Sequence, residues 1–395
     1  MTDKEKYQAL LVGPIKRFDQ RNDMFRRTRY DPEWVERAGT FYGPMRPRDR
    51  DGYRLEEQAL ADAAWYVEDH CARGCQGSGH PGLYAWEVMP ADSPLGQDRP
   101  AMGHDSQADS GSTGFSVDVS DKGNLTSKVK RAARLFGASL VGVCELDPRW
   151  LYSHVSDDTT GKHEPLELPE GMRSVVVMAV EMDYGLMQTA PTGGAAAATG
   201  LGYSKMAFLA GLLARFIRNL GYRALPCGND SALSIPLAVE AGLGELGRNG
   251  LLITEQFGPR VRLCKVFTDL PLVPDEPKFF GVEAFCGVCL KCADDCPSRA
   301  ITFGSRTTEA LNVSTNPGVL KWPVNAEQCF KYWAANGLDC STCIRVCPFN
   351  QEAGWLHDAV RIGIKHTPWL DRLFLWFDGV LGYGRQLDPE SIWNG

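Results

Sequence analysis

The sequence predicts a mixed α+β/α/β protein, in which an α/β domain precedes a small module like a two-cluster bacterial ferredoxin. Three observations carry this reading. From residue 126 to 275, helical and strand patterns alternate with glycine-rich corners. Two cysteine runs then follow, "CGVCLKCADDCP" at 286–297 and "CSTCIRVCP" at 340–348, each ending in Cys-Pro. At 395 residues the chain is long enough for one large core and a smaller module.

Composition narrows the function. With 44% hydrophobic and 23% charged residues, the chain has an ordinary globular balance. A net charge of −7 opposes nucleic acid as the partner, because phosphate binding needs a basic face. No stretch approaches the roughly 18–20 apolar residues that span a bilayer, so no transmembrane segment is expected. The start, "MTDKEKYQALLVGP", lacks a basic-then-apolar signal, and no apolar segment follows Arg26-Arg27. The expected location is cytoplasmic, unless an export signal has been removed. Of thirteen cysteines, eight have metal-type spacing; Cys71, Cys75, Cys144, Cys227 and Cys264 read as buried or incidental thiols.

Residues 1–125 are polar and weakly periodic and read as a wrapping N-terminal unit, with a helix within 54–72 and a loop at 96–114. The domain at 126–275 opens with a helix started by Ser or Thr and closed by Gly137, then a short strand. "MRSVVVMAVEM" (172–182) is a buried strand. "TGGAAAATGLGY" (192–203) reads as a small-residue loop, flexible or lying along a ligand's edge. It leads into an amphipathic helix over 203–222 that stops at Gly221. A helix-turn-strand at 235–254 and a strand at 261–272 complete the domain. Residues 276–350 form the cysteine module. The tail, 351–395, carries the aromatic segment "PWLDRLFLWFDGVLGYG", expected to cover that module, or else to dock a donor or second subunit.

The first run reads C-x2-C-x2-C-x3-C-P, and Cys329 extends the second to C-x10-C-x2-C-x3-C-P. Three cysteines on a tight loop each reach one iron of a cubane, and the fourth, beyond the turn, ligates the other cluster. The spacing therefore assigns Cys286, Cys289, Cys292 and Cys347 to one 4Fe–4S cluster, and Cys329, Cys340, Cys343 and Cys296 to the second. A zinc site needs only paired C-x2-C and leaves the doubled Cys-Pro ending unexplained. Clusters only move electrons, so the domain before them is expected to hold an acceptor.

Taken together, "RFDQRNDMF" (17–25), "YSKMAFLAGLLARFIRNLGYRALPCGN" (203–229), "IPLAVEAGLGELGRNGLLITEQFGPRVRLCKVFTDLPL" (235–272) and the cysteine runs resemble the corrinoid-dependent reductive dehalogenases over nearly the whole chain. The resemblance implies a nitroreductase-like domain holding a base-off cobalamin, followed by the ferredoxin-like domain. In agreement, the chain lacks the D-x-H-x2-G run that supplies a histidine to cobalt in other corrinoid proteins.

The family's proton donor is a tyrosine assisted by a cation later in the chain, which the resemblance places at Tyr203 and Lys265. A phenol of pKa about 10 gives its proton more readily when a nearby ammonium stabilises phenolate. Asn229 matches a family position near substrate or corrinoid, although "CGND" is equally turn chemistry. Gly242, Gly244, Gly247 and Gly250 are expected to let the backbone approach a flat ligand, or to punctuate turns. The resemblance implies electrons passing through both clusters to cobalt and halide leaving an organohalide. With lysine as the tyrosine's partner, the expected substrate is a halogenated aromatic, such as a phenol. An external ferredoxin or flavin reductase is expected as donor, and a homodimer as a further association. Two alternatives are an epoxyqueuosine-reductase-like tRNA-modifying enzyme, for which Asp230 falls at an acidic position, and a non-catalytic electron carrier or corrinoid-handling protein.

Overall fold

The computed structural model describes residues 1–43, 45–69, 116–156, 163–352 and 354–394, so the expected loop at 96–114, Cys71 and Cys75 lie outside it. The N-terminal unit holds helices α1 (Asp3–Leu10), α2 (Met24–Tyr30), α3 (Pro32–Phe41) and α4 (Leu55–Val67). The next unit opens with helix α5 (Lys122–Leu135) and strands β1 (Leu140–Glu145), β2 (His154–Ser156), β3 (His163–Pro165) and β4 (Ser174–Glu181). It continues with α6 (Tyr184–Gln188), α7 (Gly193–Asn219), β5 (Ala224–Cys227) and α8 (Ser234–Glu240). Strands β6 (Glu245–Leu246), β7 (Leu252–Ile253) and β8 (Val261–Thr268) close it. The cysteine module and tail carry α9 (Val282–Val288), α10 (Lys291–Asp294), α11 (Ala326–Asn336), α12 (Thr342–Arg345), α13 (Trp355–His366) and α14 (Asp371–Val380).

The central sheet has the order β1-β4-β8-β5, and each pairing is antiparallel. Within the mixed α+β/α/β reading, which leaves strand direction open, this is the antiparallel, α+β case. The continuous apolar run "SVVVMAVE", read as a buried strand, is strand β4. It arises because β4 is central and covered on both faces, whatever its direction. Val175, Val177 and Ala179 face a core with Trp150, Leu237 and Phe267; Val176, Met178 and Val180 face Val129, Leu209 and Leu213. Burying a Val or Leu fully stabilises by about 1.5–3 kcal/mol, so both layers hold the strand. Pro226 sits in edge strand β5, where a missing N–H costs no ladder bond toward a further strand.

Side-chain caps fix the helix starts. Asp31 accepts from Glu33 N with Pro32 in the first turn of α3, and Asp121 rather than Ser or Thr opens α5 by accepting from Asn124 N at 2.9 Å. The stretch 192–203 is not the expected loop: it forms the first turns of α7. Alanine is the strongest helix former, and the small residues admit α4 at close range. A Cβ on Gly200 would lie 2.5 Å from the Trp65 ring, and one on Gly193 would lie 2.6 Å from Glu57. Tyr203 therefore stands in mid-helix rather than at a helix start.

Helices α2 and α3 of the N-terminal unit pack on the cysteine module. Met24, Trp34 and Ala38 pack with Phe330 and Ala334, and the Arg27 guanidinium bridges Asp31 (2.8 Å) and Glu327 (2.5 Å). The tail covers the module: Val360, Ile364, Phe374 and Leu375 join a core with Phe285, Cys286, Cys289, Cys347 and Phe349, and Lys291 pairs with Asp378. Cys144, Cys227 and Cys264 are buried thiols, as expected. Among the described residues, no helix is long and apolar enough to cross a membrane.

Candidate active site

The eight clustered cysteines are free thiols in two spatial sets. Cys286, Cys289, Cys292 and Cys347 line one small space with Phe285 and Phe349, so the first run is completed by a cysteine of the second. In the other set, burial pushes the Cys329 thiol up to about 12, with further upward pushes from Cys340 and Cys296. Burial likewise raises Cys343, beside Cys329, Cys340, Cys292 and Cys296. Ser341, at a left-handed φ of 54°, turns the chain sharply between Cys340 and Cys343. Buried thiolates this close repel one another and are costly without cations, which is the donor chemistry that iron satisfies.

Next to the second set is a cavity of about 1130 Å3. Its wall includes Leu338 and Asp339, which lead into Cys340, and Gly250, which follows Asn249; the Asn249 amide donates to the Cys343 carbonyl at 3.4 Å. The N-terminal unit supplies Arg26, Gln58 and Trp65, and the central domain supplies Thr199, Tyr203, Asn229, Asp230, Ser234 and Arg262. The volume exceeds the roughly 300–1,000 Å3 of pockets for drug-sized molecules. Asn229, Asn316 and Thr315 bring amide and hydroxyl groups to the wall, whereas the Asn336 amide is bonded to Tyr53, Pro191 and Leu338. Among the described residues no histidine lines the cavity, so none stands ready to ligate a metal there.

Tyr203 and Asn229 meet: Asn229 Nδ2 donates to Tyr203 Oη at 3.1 Å. Behind them, Lys265 Nζ donates to Ser234 Oγ at 3.1 Å and to the Gly228 carbonyl, and Ser234 Oγ donates to Asn229 Oδ1 at 3.1 Å. A continuous donor chain thus runs from the ammonium to the phenol oxygen. Lys265 itself is fully buried on the β8 face shared with Leu263 and Phe267, and it does not line the cavity. Burial pulls its ammonium pKa down, against the opposing influence of Cys227 and Asp230. Lys265 is thus linked to Tyr203 through Ser234 and Asn229 rather than by direct contact. Arg262, on the other face of β8, lies against the ring itself, its guanidinium carbon 5.1 Å from the Tyr203 ring centroid. Trp65 stacks on the same ring at 4.9 Å and 23°. Arg262 is held by Thr199 Oγ1 at 3.1 Å.

Asp230 also faces the cavity, and burial pushes its carboxyl up to about 6, opposed first by Lys265. Of the four glycines, Gly250 (φ +74°) lines the cavity, beside Val324. A Cβ on Gly242 would lie 2.5 Å from the Glu276 carbonyl, and one on Gly244 would lie 2.2 Å from the Ile253 carbonyl. Gly247 packs on the Ile253 side chain. Those three glycines are required by the chain's own packing. Sequence reasoning missed Arg262, Ser234 and Trp65. Arg262 carries one signal, a second cation three residues before Lys265; Ser234 and Trp65 carry none.

Two cysteine quartets with the donor chemistry for iron, one of them next to a large cavity, are the frame of an iron–sulfur protein. Residues 285–350 match the 4Fe-4S double cluster binding domain family. The chain is 41% identical over 303 residues to the tetrachloroethene reductive dehalogenase of Sulfurospirillum multivorans, covering 70% of this chain and 60% of that one. To a tetrachloroethene reductive dehalogenase of Desulfitobacterium hafniense it is 37% identical over 350 residues, covering 79% and 60%. Among solved structures, the catabolic reductive dehalogenase NpRdhA in complex with 3-bromo-4-hydroxybenzoic acid superimposes with a TM-score of 0.69 at 25% identity, covering 95% of this chain and 48% of that one. The chain belongs to the reductive dehalogenase family. It spans about 60% of the length of the curated relatives it matches.

Proposed function

We propose that the chain catalyses reductive dehalogenation, R–X + 2e⁻ + H⁺ → R–H + X⁻, in the large cavity, with Tyr203 as the proton donor. The observation that carries this is the phenol's setting: its oxygen accepts from Asn229 and its ring lies under Arg262, at the wall of a cavity next to cysteines fit for iron. Loss of the proton leaves negative charge on that oxygen. The Asn229 donor, polarised through Ser234 by Lys265, and the Arg262 guanidinium both favour it. Fixed donors stabilise such charge without reorganisation when the proton leaves.

Cobalamin is the group we assign to the cavity, because a reductive dehalogenase of 26% identity is described as B12-dependent and the cavity's size and amide-rich wall suit a corrinoid. When bound, it supplies reduced cobalt able to break a carbon–halogen bond. Gly250 and Asn316 are the groups of this chain that would hold it, in the domain read as nitroreductase-like. The two cysteine quartets hold the 4Fe–4S clusters, with the Cys296–Cys329–Cys340–Cys343 set next to the cavity. An external ferredoxin or flavin reductase supplies the electrons.

For the substrate we favour a small halogenated alkene. The relatives at 37–41% identity act by name on tetrachloroethene. The argument for a phenolic substrate rested on lysine as the tyrosine's neighbour, and the cation against its ring is Arg262. Halogenated hydroxybenzoates remain the second reading, favoured by the ligand of the NpRdhA complex. A tRNA substrate is opposed by the net charge of −7. Assay of anaerobic, cobalamin-loaded protein with reduced viologen and tetrachloroethene or a bromophenol should release halide. Tyr203→Phe should lower turnover by about 10²-fold or more with iron and cobalt unchanged. Full turnover of that variant would remove Tyr203 from the mechanism.

A further inference from the structure

We propose that Asp19, His154 and His163 form a divalent transition-metal site of zinc type beside the cavity, separate from the iron–sulfur ligands and independent of the dehalogenase reading. Their ligand atoms all lie within 4.8 Å of one another. Strands β2 and β3 pair with Ser156 opposite His163 and His154 opposite Pro165, so side-chain alternation puts both histidines on one face of the hairpin. Their rings stack at 4.8 Å and 26°. His163 Nε2 lies 2.8 Å from Asp19 Oδ1, close to the bite of two ligands on one ion.

The surroundings hold these groups as outer partners hold metal ligands. His154 Nδ1 lies 3.1 Å from Ser153 Oγ, which leaves its Nε2 to coordinate. Asp19 is fixed by the Arg21 backbone N–H at 2.9 Å, leaving its carboxylate with lone pairs to spare. The side chains of His163 and Asp19 are 28% and 30% exposed, which is sheltered yet reachable by an ion. Two imidazoles and a carboxylate make a zinc donor set with one position open to water, and imidazole disfavours Mg2+ and Ca2+. On binding, zinc would stand between His163 Nε2 and Asp19 Oδ1, and any proton held on that nitrogen would leave to solvent.

The site has a mechanical consequence. Gln20, next to Asp19, accepts from Ser156 N at 2.8 Å and donates to the Asp230 carbonyl at 3.1 Å. An ion joining Asp19 to the hairpin clamps the N-terminal segment against the cavity wall that carries Asn229 and Asp230.

The test uses the full chain with its clusters and cobalamin in place. Protein stripped of loose metal by a chelator is dialysed anaerobically against micromolar Zn2+, and zinc and iron are measured in the same sample. One zinc per chain is expected, with X-ray absorption showing two imidazole nitrogens at about 2.0–2.1 Å. Zinc should also raise the melting temperature, because binding to the folded state stabilises it. The double variant His154→Asn/His163→Asn should lose that zinc and the thermal shift while keeping its iron. If it fails to fold, Asp19→Asn, which keeps the side chain's shape, should weaken zinc binding at least ten-fold. No zinc bound by the unaltered protein, or equal zinc in whichever folded variant is measured, overturns the proposal.

Discussion

Asp230 is a carboxyl that the fold holds away from water at the cavity wall. Its folded-state pKa, about 6, lies above the ordinary 3.8, so the folded protein binds more protons than the unfolded chain between those values. Stability from this group is therefore present at low pH and is lost as pH rises through about 6. Asp230→Asn removes the loss: its melting temperature should gain on that of the unaltered protein between pH 5 and pH 7.5. A difference that is flat across this range would show that Asp230 ionises normally. At this scale Tyr203 and Asn229, which the resemblance singles out, meet at the cavity wall. Arg262 was not legible in the sequence, because one-residue alternation decides which face of β8 a cation occupies, and the sequence does not say which face the tyrosine's helix covers. Lys265 was singled out by the resemblance, with its apolar strand in support; its hydrogen bonds reach Tyr203 only through Ser234 and Asn229.

The element with the most to explain is α7, at 27 residues. Its first ten residues, rich in Gly, Ala and Thr, carry no amphipathic period, so pattern alone reads them as loop. What makes them helical is tertiary: small side chains admit α4, and α4 brings Trp65 onto Tyr203. Gly200 sits at that contact, with its absent Cβ 2.5 Å from the indole. Gly200→Leu should destabilise by roughly 1–3 kcal/mol, as overpacked sites do. It should also displace Trp65 and lower halide release, while Leu201→Ala on the exposed side of the same helix changes neither. Thermal melting and the halide assay read both effects, and a Gly200→Leu protein with normal melting would mean that the α4–α7 seam yields freely. The sheet's direction escaped the sequence for a similar reason. A strand covered on both faces reads as an apolar run whether its neighbours are parallel or antiparallel.

Across the whole molecule, the N-terminal unit and the tail pack on a cysteine module whose spacing implies that its two runs exchange their last ligands. The exchange follows from spacing, and the structure brings Cys347 to Cys286, Cys289 and Cys292. Single substitutions test it poorly, since losing one cluster looks alike from either side. Pairs of substitutions separate the cases. If ligation is crossed, Cys296 and Cys340 serve the same cluster, and Cys296→Ala/Cys340→Ala should retain about four of about eight irons. Cys296→Ala/Cys286→Ala should then lose nearly all its iron, because one ligand is missing from each cluster. Ligation within each run reverses the two outcomes. The crossed case also has a functional sign. The set of Cys296 and Cys340 is the one next to the cavity, by way of Leu338 and Asp339. Cys296→Ala/Cys340→Ala should thus keep a reducible cluster, seen by electron paramagnetic resonance, yet release no halide, since the surviving cluster lies under α13 and α14 with the step to the cavity gone.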